Sequence, residues 1–165
     1  MTRATFYALA ALGVAVYALL FFSSPAKSQT VKTIALETGD MGEQAQLLRA
    51  ANEWNAALQG VVRIVPLDVG AKADWRITFK TEGMERASVC EASAFLGVIR
   101  CRRMAVGYAD FGFVLAHEIG HLLNLDHSWG GVMHPYCCAL YSKIDEKSAA
   151  LVRRNWTLPK ASERK

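Results

Sequence analysis

Residues 117 to 133 read HEIGHLLNLDHSWGGVM, a stretch that demands a helix, a stop and a return of the chain. His117 and His121 are four residues apart. On a helix that spacing stacks two side chains on one face, with Cβ atoms about 5–6 Å apart. Both imidazoles can then reach one tetrahedral ion. Glu118 directly follows the first histidine and stands beside such an ion, where the general base for a coordinated water belongs. His127 lies six residues past His121, off that helical face. It reaches the same point only if the helix ends and the chain turns back. Asn124 is placed to end it, because a left-handed residue closes many helices, usually Gly and sometimes Asn. Three histidines leave a fourth position open for water, which is the catalytic arrangement of zinc and not the closed structural one.

The pattern H-E-x-x-H-x-x-N-x-x-H resembles the metzincin signature, with Asn124 where that family has Gly. Ser128 follows the third histidine as in the matrixin branch, the matrix metalloproteinase family. Residues 130–136, GGVMHPY, look like the methionine turn of that family, with Met133 in the methionine place. Tyr141-Ser142-Lys143-Ile144-Asp145 is similar to the segment that opens the family's last helix. Upstream, Trp54 and residues 73–79, ADWRITF, resemble the first helix and a following strand. The likeness covers about residues 31–158. It implies an α+β fold, a metzincin-like zinc peptidase domain whose small mixed sheet carries an active-site helix and a C-terminal helix. It also implies an exported zinc-dependent endopeptidase with one catalytic zinc on His117, His121 and His127. Glu118 would activate the zinc-bound water. A protein or peptide substrate would lie extended along the sheet edge, with Pro135 and Tyr136 as pocket walls. No pro-segment with a latency cysteine is recognisable, and residues 81–109 hold no histidine for a second zinc. Neither a second zinc nor a structural calcium is expected.

A bare H-E-x-x-H can arise by chance on an amphipathic helix. Chance would also have to supply the spaced His127, the turn residue and Met133. Met133 alone means little, because methionine is a common core filler; its weight comes from its position. His134 is assigned to the turn or the cleft wall and not to zinc. Asp126 either orients a histidine from behind or is a solvated loop residue, and the second is the expectation. Two rival readings stand beside the peptidase. One is a zinc-bearing binding or inhibitory module without turnover, which has no need of Glu118. The other is a membrane-anchored interaction protein with no metal.

A chain of 165 residues supports one domain. Ala4 to Phe22 is apolar apart from Thr5, and only Arg3 precedes it as a charge. Residues 1–26 therefore read as a signal peptide or an N-terminal membrane anchor. Cleavage after Ala26 gives a secreted or periplasmic protein. Retention holds the domain outside the cytoplasm, with the membrane engaged through residues 4–22. Export places Cys90, Cys101, Cys137 and Cys138 in an oxidising compartment. Four cysteines allow three pairings. Cys90 with Cys101 closes a local loop, and cross-pairing of both with the adjacent doublet is the rival. The net charge of +4 is small, and no basic stripe interleaved with aromatics accompanies it, so nucleic acid is not an expected partner.

Along the chain, residues 27–30 read as a linker and 31–158 as the catalytic domain, with 159–165 a solvated tail. Val31–Leu36, Val61–Val69, Trp75–Phe79, Phe95–Cys101 and Met104–Tyr108 read as strands, and Thr81–Ala94 as a loop. Asp40 and Glu43 form a capping box ahead of a helix that ends at Gly60. Asp110 is placed to cap the helix running to Asn124. Ser142 and Asp145 start the last helix, which ends near Trp156.

Overall fold

Asp40 accepts from the backbone N–H of Glu43 at 2.9 Å, and Glu43 accepts from the backbone N–H of Asp40 at 2.8 Å. This reciprocal box satisfies two donors that a helix start otherwise leaves unpaired. Helix α1 follows over Met41–Leu58 and closes on Gln59 and Gly60, both left-handed. Its Leu47, Ala50, Ala51, Trp54 and Leu58 recur at helical spacing and are fully buried. The computed structural model describes residues 29–86, 88–103, 111–135 and 143–157.

Five strands form one sheet: β1 (Thr30–Leu36), β2 (Val62–Pro66), β3 (Trp75–Thr78), β4 (Cys90–Ser93) and β5 (Val98–Cys101). Their order is β2-β1-β3-β5-β4. β1 runs parallel to both β2 and β3, and β3 runs parallel to β5; β4 alone is antiparallel, against β5. Parallel neighbours need a long crossover, and α1 supplies it between β1 and β2. The Asn55 side chain of α1 bonds both the N–H and the carbonyl of Ile64, tying the helix to β2. Helices α2 (Phe111–Leu122) and α3 (Glu146–Thr157) complete the described fold. Ile34, Leu36, Ile64, Ile77 and Ile99 of the sheet share one core with Leu47, Trp54, Leu115 and Ile119 of the helices. The described chain is thus a mixed α and β domain, compatible with the α+β expectation.

Several boundaries move. β1 opens at Thr30, inside the expected linker. β2 ends at Pro66, short of the expected Val69. The expected loop over residues 81–94 contains β4. The expected strand from Phe95 begins only at Val98, because Phe95 and Leu96 occupy the turn and Gly97 is left-handed at φ 62°. A Cβ at Gly97 would come within 2.8 Å of the Asp74 carbonyl oxygen. The last helix starts at Glu146, with Asp145 accepting from the Ser148 N–H at 2.9 Å as its cap. Residues 1–28, Met104–Tyr108, Asp110, Tyr136, the doublet Cys137-Cys138, Tyr141, Ser142 and the tail lie outside the described residues.

Cys90 and Cys101 face each other across β4 and β5 and are joined as a disulfide, so cross-pairing with the doublet is excluded. Non-reducing peptide mapping should recover the Cys90 and Cys101 peptides as one linked species. A peptide joining either residue to Cys137 or Cys138 would contradict this pairing.

Candidate metal centre

Helix α2 is held from behind before it presents anything. The Trp54 indole N–H of α1 donates to the Ala116 carbonyl at 2.8 Å, one residue ahead of His117. Gly120 lies one turn further on, against Met133 and Trp54. A Cβ there would collide with the Met133 sulfur and come within 3.2 Å of Trp54. Met133 is buried, so the expected methionine turn packs under the helix between its two histidines. The turn is a 3₁₀ segment over Gly131–Met133, closed by Ser128 N–H donating to the Met133 carbonyl at 2.9 Å.

The helix then stops as the sequence predicts. Asn124 is left-handed at φ 63°. The N–H of Asn124 donates to the His121 carbonyl and that of Leu125 to the Gly120 carbonyl, at 2.9 and 3.0 Å. These two bonds form a Schellman closure, and they reverse the chain. Leu125 is buried and anchors the return. The Trp156 indole of α3 reaches the Leu123 carbonyl at 3.4 Å, a second brace on the same turn.

The reversal brings His127 back to His117 and His121. Its Nε2 lies 3.3 Å from His117 Nε2, and His121 Nε2 lies 3.1 Å from the same atom. The three ligand nitrogens all fall within 4.8 Å of one another. Zinc–nitrogen bonds of about 2.0–2.1 Å in a tetrahedron place neighbouring nitrogens roughly 3.3 Å apart, close to the two separations around His117.

The hydrogen bonds decide what those nitrogens carry. His117 Nδ1 sits 2.7 Å from the Val132 carbonyl, and His121 Nδ1 sits 2.8 Å from the Leu125 carbonyl. A carbonyl oxygen only accepts, so each Nδ1 holds the hydrogen. In neutral imidazole Nε2 then carries a bare lone pair. Burial pushes the His117 pKa down to about 4, against the Val132 bond, and pushes that of His121 down for the same reason. Two bare lone pairs about 3 Å apart repel, and a cation between them turns that repulsion into coordination. The donor set therefore fits a metal ion, and His117, His121 and His127 could hold one.

Glu118 is buried between α2 and β4. Burial raises its pKa to about 8, while the backbone N–H of Ala92 in β4 opposes the shift and the neighbouring Glu91 adds to it. Its Oε2 has no hydrogen-bond partner among the described residues. A buried orphan acceptor is costly and marks where a polar partner belongs. The expected base thus stands buried next to the first ligand, with one oxygen uncommitted.

Sequence reasoning identifies these four side chains. It misses the Val132 and Leu125 carbonyls and the Ala92 N–H, because backbone groups leave no residue-type signal. His134 is buried and meets the exposed Trp129 ring edge-on at 5.7 Å, apart from the metal group. Asp126 is exposed, in keeping with a solvated loop, and its charge opposes the burial that lowers the His121 pKa. Pro135 is exposed at the end of the turn. Comparison with known protein families and with curated proteins finds no match to this chain.

The Asn124 turn yields a direct test. A left-handed non-Gly residue costs roughly 1–2 kcal/mol, less for Asn through local hydrogen bonds. Asn124→Gly should be tolerated or slightly stabilising. Asn124→Val should weaken metal binding and lower the melting temperature, because a β-branched residue resists positive φ. Equal zinc affinity in the two variants would mean that this turn does not deliver His127.

Proposed function

We propose that this chain is an exported zinc-dependent endopeptidase of the metzincin type, related to the matrixins. The observation that carries the reading is the convergence of three histidine lone pairs beside a buried glutamate with a free oxygen. A purely structural zinc site is closed by four protein ligands, whereas this group has three among the described residues. Architecture supports the same reading, because a mixed sheet, a histidine-bearing helix and a C-terminal helix are what the sequence resemblance implies.

Bound zinc supplies Lewis-acid polarisation of the scissile carbonyl. The protein's own residues do the rest. The Val132 and Leu125 carbonyls hold the His117 and His121 rings in the tautomer that keeps Nε2 free. Glu118 takes a proton from the attacking water through its uncommitted oxygen and later delivers it to the leaving amine. Burial raises its pKa, and a cation on the neighbouring histidines would favour the charged carboxylate that a base requires. β4 is an edge strand, and its outer side pairs with no strand among the described residues. An extended peptide aligned along that edge would pass the helix that carries Glu118, which is the substrate geometry expected from sequence.

Glu118→Gln separates binding from turnover. The change is nearly isosteric, so zinc content should stay at one ion per chain. Loss of a general base costs typically 10²–10⁴-fold in rate, and cleavage of a peptide library should fall by at least about that much. Wild-type cleavage by the variant would remove Glu118 from the mechanism. Full zinc content with no cleavage by the wild-type chain would favour a binding module.

A further inference from the structure

Four residues, CEAS, make up β4, and among the described residues they pair with β5 alone, at the edge of the sheet. A short, half-polar strand specifies its register weakly, and a slip of one residue turns every side chain to the opposite face. The backbone turns with it. In an antiparallel pair the N–H and carbonyl of one residue point together, toward the partner strand at one position and away from it at the next. A one-residue slip in β4 therefore turns outward donors inward.

The observed register decides which groups face out. Arg102 N–H donates to the Val89 carbonyl at 2.9 Å, which makes that couple a hydrogen-bonded pair. Cys90 and Cys101 come next and form a non-hydrogen-bonded pair, with Cα atoms 4.1 Å apart. By alternation Glu91 and Arg100 are bonded, and Ala92 and Ile99 are not. The Ala92 N–H thus points away from β5. Helix α2 packs against β4, and the Ala92 N–H donates to its buried Glu118. A slip of one residue takes that donor away. It would also set Cys90 opposite Arg100 or Arg102, which the disulfide forbids. The other ties on β4 are looser. Arg100 reaches Glu91 at 3.5 Å, and Arg102 holds the Ser88 and Glu85 carbonyls at 2.9 and 3.1 Å. These long side chains keep the strand near β5, but they can follow a shift of one residue.

We propose that the Cys90–Cys101 disulfide is a positioning device for the reaction: it locks β4 in the register whose Ala92 N–H holds one oxygen of Glu118 and leaves the other free. Its effect on turnover rests on the peptidase reading, whereas the register and its link to Glu118 stand apart from that reading. The metal group is secured separately. The Val132 and Leu125 carbonyls hold the His117 and His121 rings, the Asn124 turn returns His127, and β4 takes no part in these contacts. Strand β4 also adds no large side chain to the core. Breaking the bond therefore leaves a folded chain that binds metal and turns over slowly.

The test compares the zinc-loaded full chain with its Cys90→Ala/Cys101→Ala variant, by amide hydrogen exchange read by NMR and by steady-state peptide cleavage. Exchange at the Ala92 amide should rise several-fold in the variant, while buried Ile77 of β3 keeps its protection. Adding Glu118→Gln should shift the Ala92 amide resonance in the disulfide-bonded chain and leave it unmoved in the variant. Zinc affinity and KM should be unchanged, and kcat should fall by up to about 10²-fold, the scale of a misplaced catalytic geometry. Unchanged Ala92 exchange and an unchanged response to Glu118→Gln would overturn the proposal, as would wild-type kcat in the variant. If the alanine pair loses Ile77 protection, Cys90→Val/Cys101→Val refills the cross-strand space and takes its place. Loss of Ile77 protection or of zinc in both variants would make the bond a general staple and overturn the proposal too. A disulfide-bonded wild-type chain that cleaves no peptide would sink the peptidase reading instead, and the exchange result would then decide the register claim by itself.

Discussion

His117 donates through Nδ1 to the Val132 carbonyl, and this bond joins two segments fifteen residues apart at a buried point. It fixes the ring's tautomer, so Nε2 points outward as a lone pair. It also pins the segment that carries Met133 beneath helix α2. The matching bond from His121 to Leu125 does the same for the turn after the helix. Without these two acceptors the rings could flip, and no fixed set of donors would exist. The remaining architecture serves to hold the acceptors in place. Trp54 grips Ala116, Met133 fills the space left by Gly120, and Trp156 reaches Leu123. Each contact lies within a turn of a candidate ligand.

The sheet contributes from the other side. Its core strands bury Ile34, Leu36, Ile77 and Ile99 and give α1 and α2 a firm floor. β4 turns antiparallel at the edge, and there its backbone meets Glu118. The disulfide holds β4 to β5, so the strand that touches the proposed base is covalently tied to the sheet. A charged carboxylate in this apolar setting is unfavourable by burial alone. A cation on the neighbouring histidines would offset that cost, so the ligand set and the base belong to one electrostatic unit.

Much of this site is legible in the sequence because it is local. Spacing of four and six residues states which histidines share a face and which need a turn. Asn124 has the side chain that tolerates the left-handed turn, and Asp40 with Glu43 spells out a cap whose partners are three residues apart. What the sequence hides is non-local or carried by backbone. β4 is short and half-polar, CEAS, so no alternating pattern marks it; only pairing with β5 makes it a strand. Phe95 and Leu96 read as strand because they are apolar, yet the left-handed Gly97 puts them in a turn. The parallel order β2-β1-β3-β5 depends on contacts between distant segments, which composition does not encode. The carbonyls of Val132 and Leu125 would be acceptors whatever side chains stood there.

In the proposed enzyme three imidazole nitrogens, and no cysteine sulfur, hold one zinc ion. X-ray absorption at the zinc edge of the purified full chain reads that ligand set. The expected spectrum shows one zinc per chain, with three nitrogen neighbours and one oxygen at about 2.0–2.1 Å and an imidazole scattering pattern. A sulfur neighbour at about 2.3 Å, which would assign the metal to cysteine, would contradict it, as would a chain that holds no zinc when the ion is supplied.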